Sequence, residues 1–342
     1  MKAMVLDAIA DLQQNSEPLK MTDIPRPVAG DHEVLVKILA CGVCHTELDI
    51  IEGRTPPPNF PVVPGHQVIG IVENTGTKVT KLKQGDRVGV AWIFSACGEC
   101  SYCLSGRENL CPDFVATGRD INGGYAQYMT VHEAFAYIIP PVFSNSQAAP
   151  LLCAGAVGYR SLILTGLKDG WNIGLTGFGA SAHLVLQLVK YKFPNCEIFV
   201  FARSEEERKF AMELGAVWAG DTEDHIPVLM DCIIDTTPVW KPVLEGLKRI
   251  KPGGRLVINA IRKEQTDKNQ LLNLDFSKHL WMEKEIKSVA NVTRRDVSEF
   301  LSLAAEIPII PEIQEYQLDQ ANVALMELKQ RKIRGAKVLI MD

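Results

Sequence analysis

The chain has 342 residues, of which 46% are hydrophobic and 23% charged, and its formal net charge is -5. This length allows two domains with separate cores, and the acidic balance gives no reason to expect binding to nucleic acid or to an anionic membrane. No apolar run approaches the roughly 20 residues of a membrane span, and Asp7 and Asp11 interrupt the region where a signal peptide would be apolar. We therefore expect a cytoplasmic protein.

Short β-rich runs separated by turn residues fill the first 150 residues. The runs are KAMVLDAI, EVLVKIL, HQVIGIV and DRVGVAW, and the segments between them are rich in Gly, Pro and Asp. Strands at this spacing predict an irregular β-barrel or sandwich.

A thiol and an imidazole flank a proline-rich loop within this region. Cys44 lies in CHTELD and His66 in PGHQVIG, whereas Cys153, in LLCAG, stands alone far along the chain. The pair Cys41 and Cys44 could be a redox dithiol, but no thioredoxin-like context surrounds it. Taken singly, His66 is more often structural, and Cys153 could be a small buried apolar residue.

Four further cysteines form a compact lobe. They occur in CGECSYCLSGRENLC, at Cys97, Cys100, Cys103 and Cys111. Four thiolates at this spacing, in a compartment that disfavours disulfides, match a closed structural zinc site. An iron–sulfur cluster is the rival, although ferredoxin spacings differ from this one. The lobe, residues 95–113, is therefore predicted to fold around zinc.

Strands and helices alternate from about residue 151. The pattern runs NIGLT, SAHLVLQLVKY, EIFVF, SEEERKFAMEL, DCIID, VLEGLKRI and RLVINA, and it predicts a parallel sheet with crossover helices. Ser204 with Glu207 forms a potential capping box, Gly215 suits a C′ position, and Pro252-Gly253-Gly254 is expected to end a helix before a strand. A helix, the strand PEIQEYQL, another helix and the strand AKVLIMD follow.

A glycine-rich turn opens the first of these helices. The turn consists of Gly177, Phe178, Gly179, Ala180, Ser181 and Ala182 and follows an apolar strand. In this setting G-x-G-x-x-A predicts dinucleotide binding, with the pyrophosphate at the helix N-terminus; a purely structural turn is the alternative.

The residues after EIFVF bear on the choice between NADP and NAD. They are Ala202, Arg203 and Ser204, so no acid stands where a carboxylate would hold the ribose 2′-hydroxyl. An arginine there accommodates a 2′-phosphate, and we therefore expect Arg203 and Ser204 to contact NADP(H). Solvated Arg203, with NAD(H) as cofactor, remains the alternative.

CHTELD, PGHQVIG, LLCAG and the four-cysteine lobe together resemble the zinc-containing medium-chain alcohol dehydrogenases, over essentially the whole chain. The resemblance implies an α/β protein: a GroES-like irregular β-barrel catalytic domain at 1–153 and 290–342, and a Rossmann domain with a doubly wound parallel sheet at 154–289. Family members are dimers or tetramers, so a homo-oligomer is expected.

The resemblance also implies roles for individual residues. A Cys₂His set is the known catalytic pattern of alcohol dehydrogenases, and here it falls on Cys44, His66 and Cys153, giving two Zn²⁺ per chain with the lobe. Thr46 takes the place of the proton-relay hydroxyl, Glu47 that of the carboxylate behind the histidine ligand, and His45 that of a pyrophosphate contact. Trp92 takes the family's substrate-pocket position and is expected to line the pocket with Phe114. A Trp there favours primary alcohols, and a purely structural place in the core is the alternative.

Three positions depart from the family pattern. Gln67 stands where Glu is usual, and Asp49 replaces a proton-shuttling His, either as a base itself or with water carrying the proton. Ala336 replaces an arginine, leaving Arg334 or Lys337 as cofactor contacts. We expect a zinc-dependent alcohol dehydrogenase or aldehyde reductase that transfers hydride between an alcohol and NADP(H), with a primary alcohol as the expected substrate and a secondary alcohol as the alternative. NAD(H) with the same chemistry, a bulkier or aromatic alcohol, and a zinc- and nucleotide-binding protein without turnover are the alternatives.

Overall fold

The computed structural model describes residues 1–307, 309–330 and 335–341. The strands are β1 (Lys2–Leu6), β2 (Leu19–Asp23), β3 (Glu33–Val43), β4 (Val68–Thr75), β5 (Arg87–Val90), β6 (Ile93–Ser95), β7 (Val115–Ala116), β8 (Tyr128–His132), β9 (Ala136–Ile138), β10 (Asn172–Thr176), β11 (Glu197–Phe201), β12 (Trp218–Gly220), β13 (Met230–Asp235), β14 (Ile250–Ile258), β15 (Glu285–Ser288), β16 (Ile313–Gln317) and β17 (Ala336–Ile340). The helices are α1 (His45–Ile51), α2 (Ser101–Leu104), α3 (Asn145–Pro150), α4 (Ala156–Thr165), α5 (Ala182–Lys192), α6 (Glu205–Glu213), α7 (Lys241–Lys248), α8 (Phe276–His279), α9 (Arg294–Glu306) and α10 (Ala321–Lys329).

The chain divides into two compact units. The first comprises Met1–Cys153 together with Val292–Asp342, and the second is Ala154–Asn291. The second unit therefore extends two residues beyond the expected boundary at residue 289. The C-terminal segment returns to the first unit through β17, which pairs with β3.

The main sheet of the first unit is mostly antiparallel and has the order β16-β17-β3-β4-β5-β9, with β8 also paired to β3; β1-β2 and β6-β7 form two further small sheets. The buried side chains of Val34, Val36 and Ile38 on β3 belong to its hydrophobic core. Strand β3 ends at Val43, and β4 begins at Val68 with Cys41 opposite Val68 in the register. This pairing brings the residues just after β3 close to those just before β4, although more than 20 residues separate them in sequence.

A parallel sheet forms the second unit, in the order β12-β11-β10-β13-β14-β15. Numbered within this unit, the order is 3-2-1-4-5-6, the arrangement of Rossmann folds. Strands β10, β11 and β13 are almost entirely buried, because helices of a doubly wound fold cover both faces. The ends of β10 and β13 lie at the point where the strand order reverses, where dinucleotides bind in such folds.

The residues predicted to mark the ends of helices were only partly correct. Ser204 caps α6 by accepting a hydrogen bond from the Glu207 backbone N–H, and Gly215 has a φ of 98°. The expectation for Pro252-Gly253-Gly254 was wrong: α7 ends at Lys248, and the triplet lies inside β14. It coincides with an irregularity where Met230 pairs with Ile250 but Cys232 pairs with Arg255, so the extra residues bulge out of the ladder.

A helical segment from Asn145 to Thr165 joins α3, a π-helical turn at Leu151–Gly155, and α4. By length and composition it could cross a membrane, contrary to our expectation that the sequence contains no such stretch. However, 67% of its most apolar window is buried inside the protein, and core helices pass the same test.

Candidate active site

Cys44, His66 and Cys153 converge on one point in the first unit. Their ligand atoms all lie within 4.8 Å of one another. His66 Nε2 is 3.7 Å from Cys44 Sγ and 3.4 Å from Cys153 Sγ. The three residues come from three different parts of the chain, so only the fold brings them together.

The start of α1 fixes the first thiol. Cys44 is the N-cap residue, with extended backbone angles, and its Sγ accepts a hydrogen bond of 3.3 Å from the Thr46 backbone N–H. Cysteine is an unusual cap, because Ser, Thr, Asp and Asn are preferred at this position. A sulfur that caps a helix is held in one orientation, as a metal ligand requires.

Glu47 links this helix start to the imidazole. One carboxylate oxygen accepts the Cys44 backbone N–H at 2.8 Å, and the other lies 2.5 Å from His66 Nδ1. Both Glu47 and His66 are almost completely buried. The carboxylate therefore holds the ring so that Nε2 faces the two thiols, which is how second-sphere carboxylates orient histidine ligands.

The electrostatics of this cluster suit a cation. A hydrogen bond with Cys153 and burial raise the pKa of the Cys44 thiol well above its usual value. Burial alone would lower the pKa of His66, but the Glu47 carboxylate and the contact with Cys44 outweigh it and raise that pKa to about 10. Two sulfurs and one imidazole nitrogen are a donor set that zinc favours, and a three-ligand protein set keeps a further coordination position available. The residues present therefore fit a catalytic zinc ion.

Cys153 occupies the π-helical turn at Leu151–Gly155, directly after α3. Such turns frequently occur at functional sites, since the wider turn shifts side chains around the helix axis. The sequence analysis identified the cysteine but not the turn that presents it.

The four-cysteine lobe also forms a potential metal site. The sulfurs of Cys97, Cys100, Cys103 and Cys111 lie within 4.8 Å of one another. Backbone N–H groups of Cys100 and Glu99 lower the pKa of Cys97 to about 7, whereas burial is the largest cause raising that of Cys103 to about 12. Four sulfurs at these separations fit a structural zinc.

The other predicted residues of α1 have different surroundings. Thr46 is buried and His45, the first residue of the helix, is exposed. Asp49 is buried, and its carboxylate accepts a 2.6 Å hydrogen bond from Arg54 Nε. Arg54 also contacts Glu52, which in turn pairs with Lys329. No sequence motif had indicated Arg54, whose contact gives Asp49 a structural partner in addition to its predicted proton-transfer role.

The surroundings of Lys337 leave no donor for the cofactor contact predicted there. The side chain is buried, and its ammonium donates to Gln314 Oε1, Tyr316 Oη and Glu327 Oε2 at 2.9, 2.7 and 2.5 Å. An ammonium has three N–H groups, so all are engaged within the first unit. Arg334, the other residue considered, lies outside the described part of the chain.

Trp92 lies against the histidine ligand. The two rings meet edge to face, with centroids 5.0 Å apart and an interplanar angle of 87°. Trp92 is 5% exposed, and Phe114 packs at the margin of the same core. Both predicted pocket residues therefore lie in the first unit, and the Trp92 ring packs directly against His66.

The glycine-rich turn in the second unit has the backbone that a dinucleotide requires. Gly177 has a φ of 75°, and a Cβ there would lie 2.8 Å from Thr236 Oγ1. A Cβ added to Gly179 would meet nothing within 4 Å, so open space lies next to this residue. Helix α5 begins three residues later, at Ala182. This combination fits a pyrophosphate at the helix N-terminus.

Two arginines lie near the end of β11. Arg203 is exposed, as a contact to a 2′-phosphate requires. Ser204 Oγ accepts the Glu207 N–H and donates to Glu206 Oε2 at 2.6 Å. Arg208, which the sequence analysis missed, donates to the carbonyls of Ala202 and Arg203, both at 3.0 Å. It therefore holds the turn in which Arg203 lies.

Comparison with known proteins finds alcohol dehydrogenases by sequence and by structure. Residues 30–141 match the model of the alcohol dehydrogenase GroES-like domain. A probable alcohol dehydrogenase, AdhA, of Mycobacterium tuberculosis is 43% identical over 325 residues, or 94% of this chain and 91% of that protein. An alcohol dehydrogenase of Geobacillus stearothermophilus is 33% identical, over 96% of this chain and 98% of the relative. A solved cinnamyl alcohol dehydrogenase of Sorghum bicolor has a TM-score of 0.85 at 28% identity, covering 99% of this chain and 98% of its own. Together with the GroES-like and Rossmann-like units, these relatives establish that the chain belongs to the zinc-containing medium-chain alcohol dehydrogenase family and is an oxidoreductase acting on alcohols.

Proposed function

We propose that the protein is a zinc-dependent, NADP(H)-preferring alcohol dehydrogenase or aldehyde reductase that acts on primary alcohols. The observation that carries this proposal is the convergence of Cys44, His66 and Cys153, with Glu47 behind the imidazole. A zinc ion held there would supply Lewis-acid activation of the alcohol or carbonyl oxygen. A second zinc in the cysteine lobe would hold that loop without taking part in the chemistry.

The chain's own residues orient and shield this chemistry. Glu47 fixes the tautomer and direction of His66 through the 2.5 Å contact to Nδ1. The Thr46 hydroxyl, two residues from the Cys44 sulfur, is suited to accept and pass on the alcohol proton. Trp92 keeps water from one side of His66 because it is itself buried.

A spectrophotometric screen tests the activity. Zinc-loaded protein is assayed with NADPH and NADH against short primary aldehydes and cinnamaldehyde, and with the corresponding alcohols in reverse. We expect turnover that is lost in Cys153→Ser but retained in Cys196→Ser, since Cys196 lies outside both cysteine clusters. Tight cofactor binding without turnover at full zinc occupancy would instead favour a binding protein.

The cofactor preference rests on the exposed Arg203 and on the absence of a carboxylate at Ala202. NAD(H) is the competing cofactor, and three glutamates in the first turn of α6 favour it because they oppose a 2′-phosphate. Arg203→Ala is therefore expected to raise the KM for NADPH far more than that for NADH. Lys209→Ala, which removes an exposed charge from the same helix, serves as the control. Equal effects of Arg203→Ala on both cofactors would reject the NADP(H) assignment.

A bulkier aromatic alcohol is the second candidate substrate. A cinnamyl alcohol dehydrogenase of Arabidopsis thaliana is 30% identical over 94% of this chain and 91% of the relative. The buried Trp92 beside His66 favours slender alcohols instead, so the ratio of kcat/KM for ethanol and cinnamyl alcohol decides between the two.

We also propose a cytoplasmic homo-oligomer, either a dimer or a tetramer. None of the nine cysteines, all of them in the described part of the chain, forms a disulfide, which supports a reducing compartment. Strand β15 lies at the edge of the second unit's sheet with exposed side chains, and Phe276 and Trp281 form an exposed aromatic pair nearby in sequence. An exposed edge and apolar side chains favour self-association. Sedimentation velocity would measure the state, and a monomer at all concentrations would contradict the proposal.

A further inference from the structure

Arg119 lies over the rings of both aromatic residues predicted for the substrate pocket. Its guanidinium carbon lies 5.5 Å from the ring centroid of Trp92 and 5.5 Å from that of Phe114. A planar guanidinium attracts the faces of aromatic rings and contacts them over a broad surface. Nothing in the sequence pattern had singled out this arginine.

Asp120 holds the guanidinium in place. Arg119 Nε and Nη2 donate to the two Asp120 carboxylate oxygens at 2.7 and 2.8 Å, a bidentate arrangement that fixes the plane of the group. Asp120 also accepts the Ala116 backbone N–H at 2.7 Å, and the Thr117 N–H donates to the Trp92 carbonyl at 2.8 Å. The turn 116–120 is therefore attached to the Trp92 backbone as well as to its ring.

Trp92 is in turn packed against His66, with ring centroids 5.0 Å apart. The ring thus has a ligand histidine at one side and a fixed guanidinium near it at another. If Arg119 were removed, the ring would lose a cation–π partner and could adopt other rotamers. The space beside His66 would then change without any change to the metal ligands.

We propose that Arg119 is a positioning residue for Trp92 and thereby sets the width of the substrate pocket, favouring slender primary alcohols over branched or aromatic ones. This inference rests on the proposed function, since it assumes that alcohols bind beside His66. Asp120 contributes to the positioning of Trp92 because it fixes the plane of the Arg119 guanidinium. The two charges also neutralise each other, so the pair shapes the pocket without making it select for charged substrates.

The kinetic test compares Arg119→Ala and Arg119→Lys with the native enzyme. For Arg119→Ala we expect the ratio of kcat/KM for cinnamyl alcohol over ethanol to rise about tenfold, through KM more than kcat. Lysine keeps the charge but cannot form the bidentate contact to Asp120 that holds the group over the rings, so Arg119→Lys should resemble the alanine variant. Arg107→Ala is the matched control, because Arg107 stacks on Tyr102 in the cysteine lobe at 5.4 Å and should leave the ratio unchanged.

A spectroscopic test does not depend on turnover. The near-ultraviolet circular dichroism of Trp92, taken as the difference between native protein and Trp92→Phe, should be lost in Arg119→Ala and in Arg119→Lys. In addition, Arg119→Ala should not alter the substrate ratio further in a Trp92→Ala background, because the two residues act as one unit. Native turnover with an unchanged ratio and an unchanged Trp92 signal in both Arg119 variants would overturn the inference. Failure of the native enzyme to turn over any alcohol would count against the proposed function instead, and the Trp92 signal would still decide the role of Arg119.

Discussion

At the scale of single residues, Glu47 has two tasks that depend on each other. One oxygen caps the backbone N–H of Cys44 and the other holds His66, so the same carboxylate positions two of the three proposed zinc ligands. A glutamine has a single acceptor oxygen, so it could keep only one of these two hydrogen bonds as an acceptor, and it would lack the charge that favours a cation. Glu47→Gln therefore tests the second acceptor oxygen and the negative charge together.

Glu47→Gln is expected to weaken binding of the catalytic zinc about 10–100-fold, the usual effect of losing a carboxylate behind a histidine ligand. Competition with a chromophoric chelator measures this affinity, with Cys44→Ser identifying which zinc is being followed. Glu17→Gln, at an exposed site, is the control and should leave the affinity unchanged. Equal zinc affinity in Glu47→Gln and native protein would show that the carboxylate only caps the helix.

At the scale of elements, a buried ion pair holds the loop after β13. Lys263 pairs with Asp235, which is completely buried, and also donates to the carbonyls of Thr237 and Val239 at 2.8 and 2.9 Å. Thr236 meanwhile donates from its N–H and its hydroxyl to the Thr176 carbonyl, which directly precedes Gly177. The loop after β13 is thus held by Lys263 and by the end of β10, next to the glycine-rich turn.

Lys263→Met should destabilise the second unit by about 3–5 kcal/mol, because it leaves a buried carboxylate without its partner. Asp235→Asn in addition to Lys263→Met should recover most of this loss. Urea unfolding followed by circular dichroism measures the midpoints. The control is Lys241→Met, which breaks an exposed pair with Glu223 and should cost about 0–1 kcal/mol. A midpoint for Lys263→Met no lower than that of the control would contradict this account.

At the scale of the whole molecule, the two cysteine clusters should contribute differently. The lobe brings four sulfurs together in a loop whose regular structure is limited to α2 and a short 3₁₀ turn, so it depends on a metal for its shape. The cluster at Cys44 is built on β3 and β4, whose side chains pack in the core, and on the helical segment, where Leu151 and Leu152 are completely buried. Loss of the lobe's zinc should therefore unfold the lobe. Loss of the zinc at Cys44, in contrast, should leave the surrounding strands and helix folded.

Metal analysis of purified protein should find two zinc ions per chain. Cys97→Ser should retain about one zinc and melt at a lower temperature, because structural zinc contributes directly to folding. Cys44→Ser should also retain about one zinc but keep its melting temperature and lose activity, since serine can still cap α1. Cys196→Ser should keep both ions. Identical melting behaviour of the Cys97 and Cys44 variants would contradict the division of roles.

The fold class could be predicted from the sequence because it depends on local hydrophobic patterns and on motifs shared with a known family. The strand–helix alternation indicated the parallel sheet, and CHTELD, PGHQVIG and LLCAG indicated the residues that the fold brings together. Arg119, Arg54 and the pair of Lys263 with Asp235 escaped detection. Each acts through contacts that depend on how loops pack, and no residue spacing encodes those contacts. Pro252-Gly253-Gly254 misled because a strand can absorb such a triplet as a bulge.

The π-helical turn at Leu151–Gly155 limits how the chain can change in length. Regular α-helical geometry rotates successive residues by about 100° around the axis, so deleting a single residue before Cys153 would swing its sulfur away from His66 even while making the helix more regular. Straightening this segment and keeping a three-ligand metal centre are therefore incompatible aims. A designer seeking a more rigid variant should shorten surface connections and leave this irregular turn untouched.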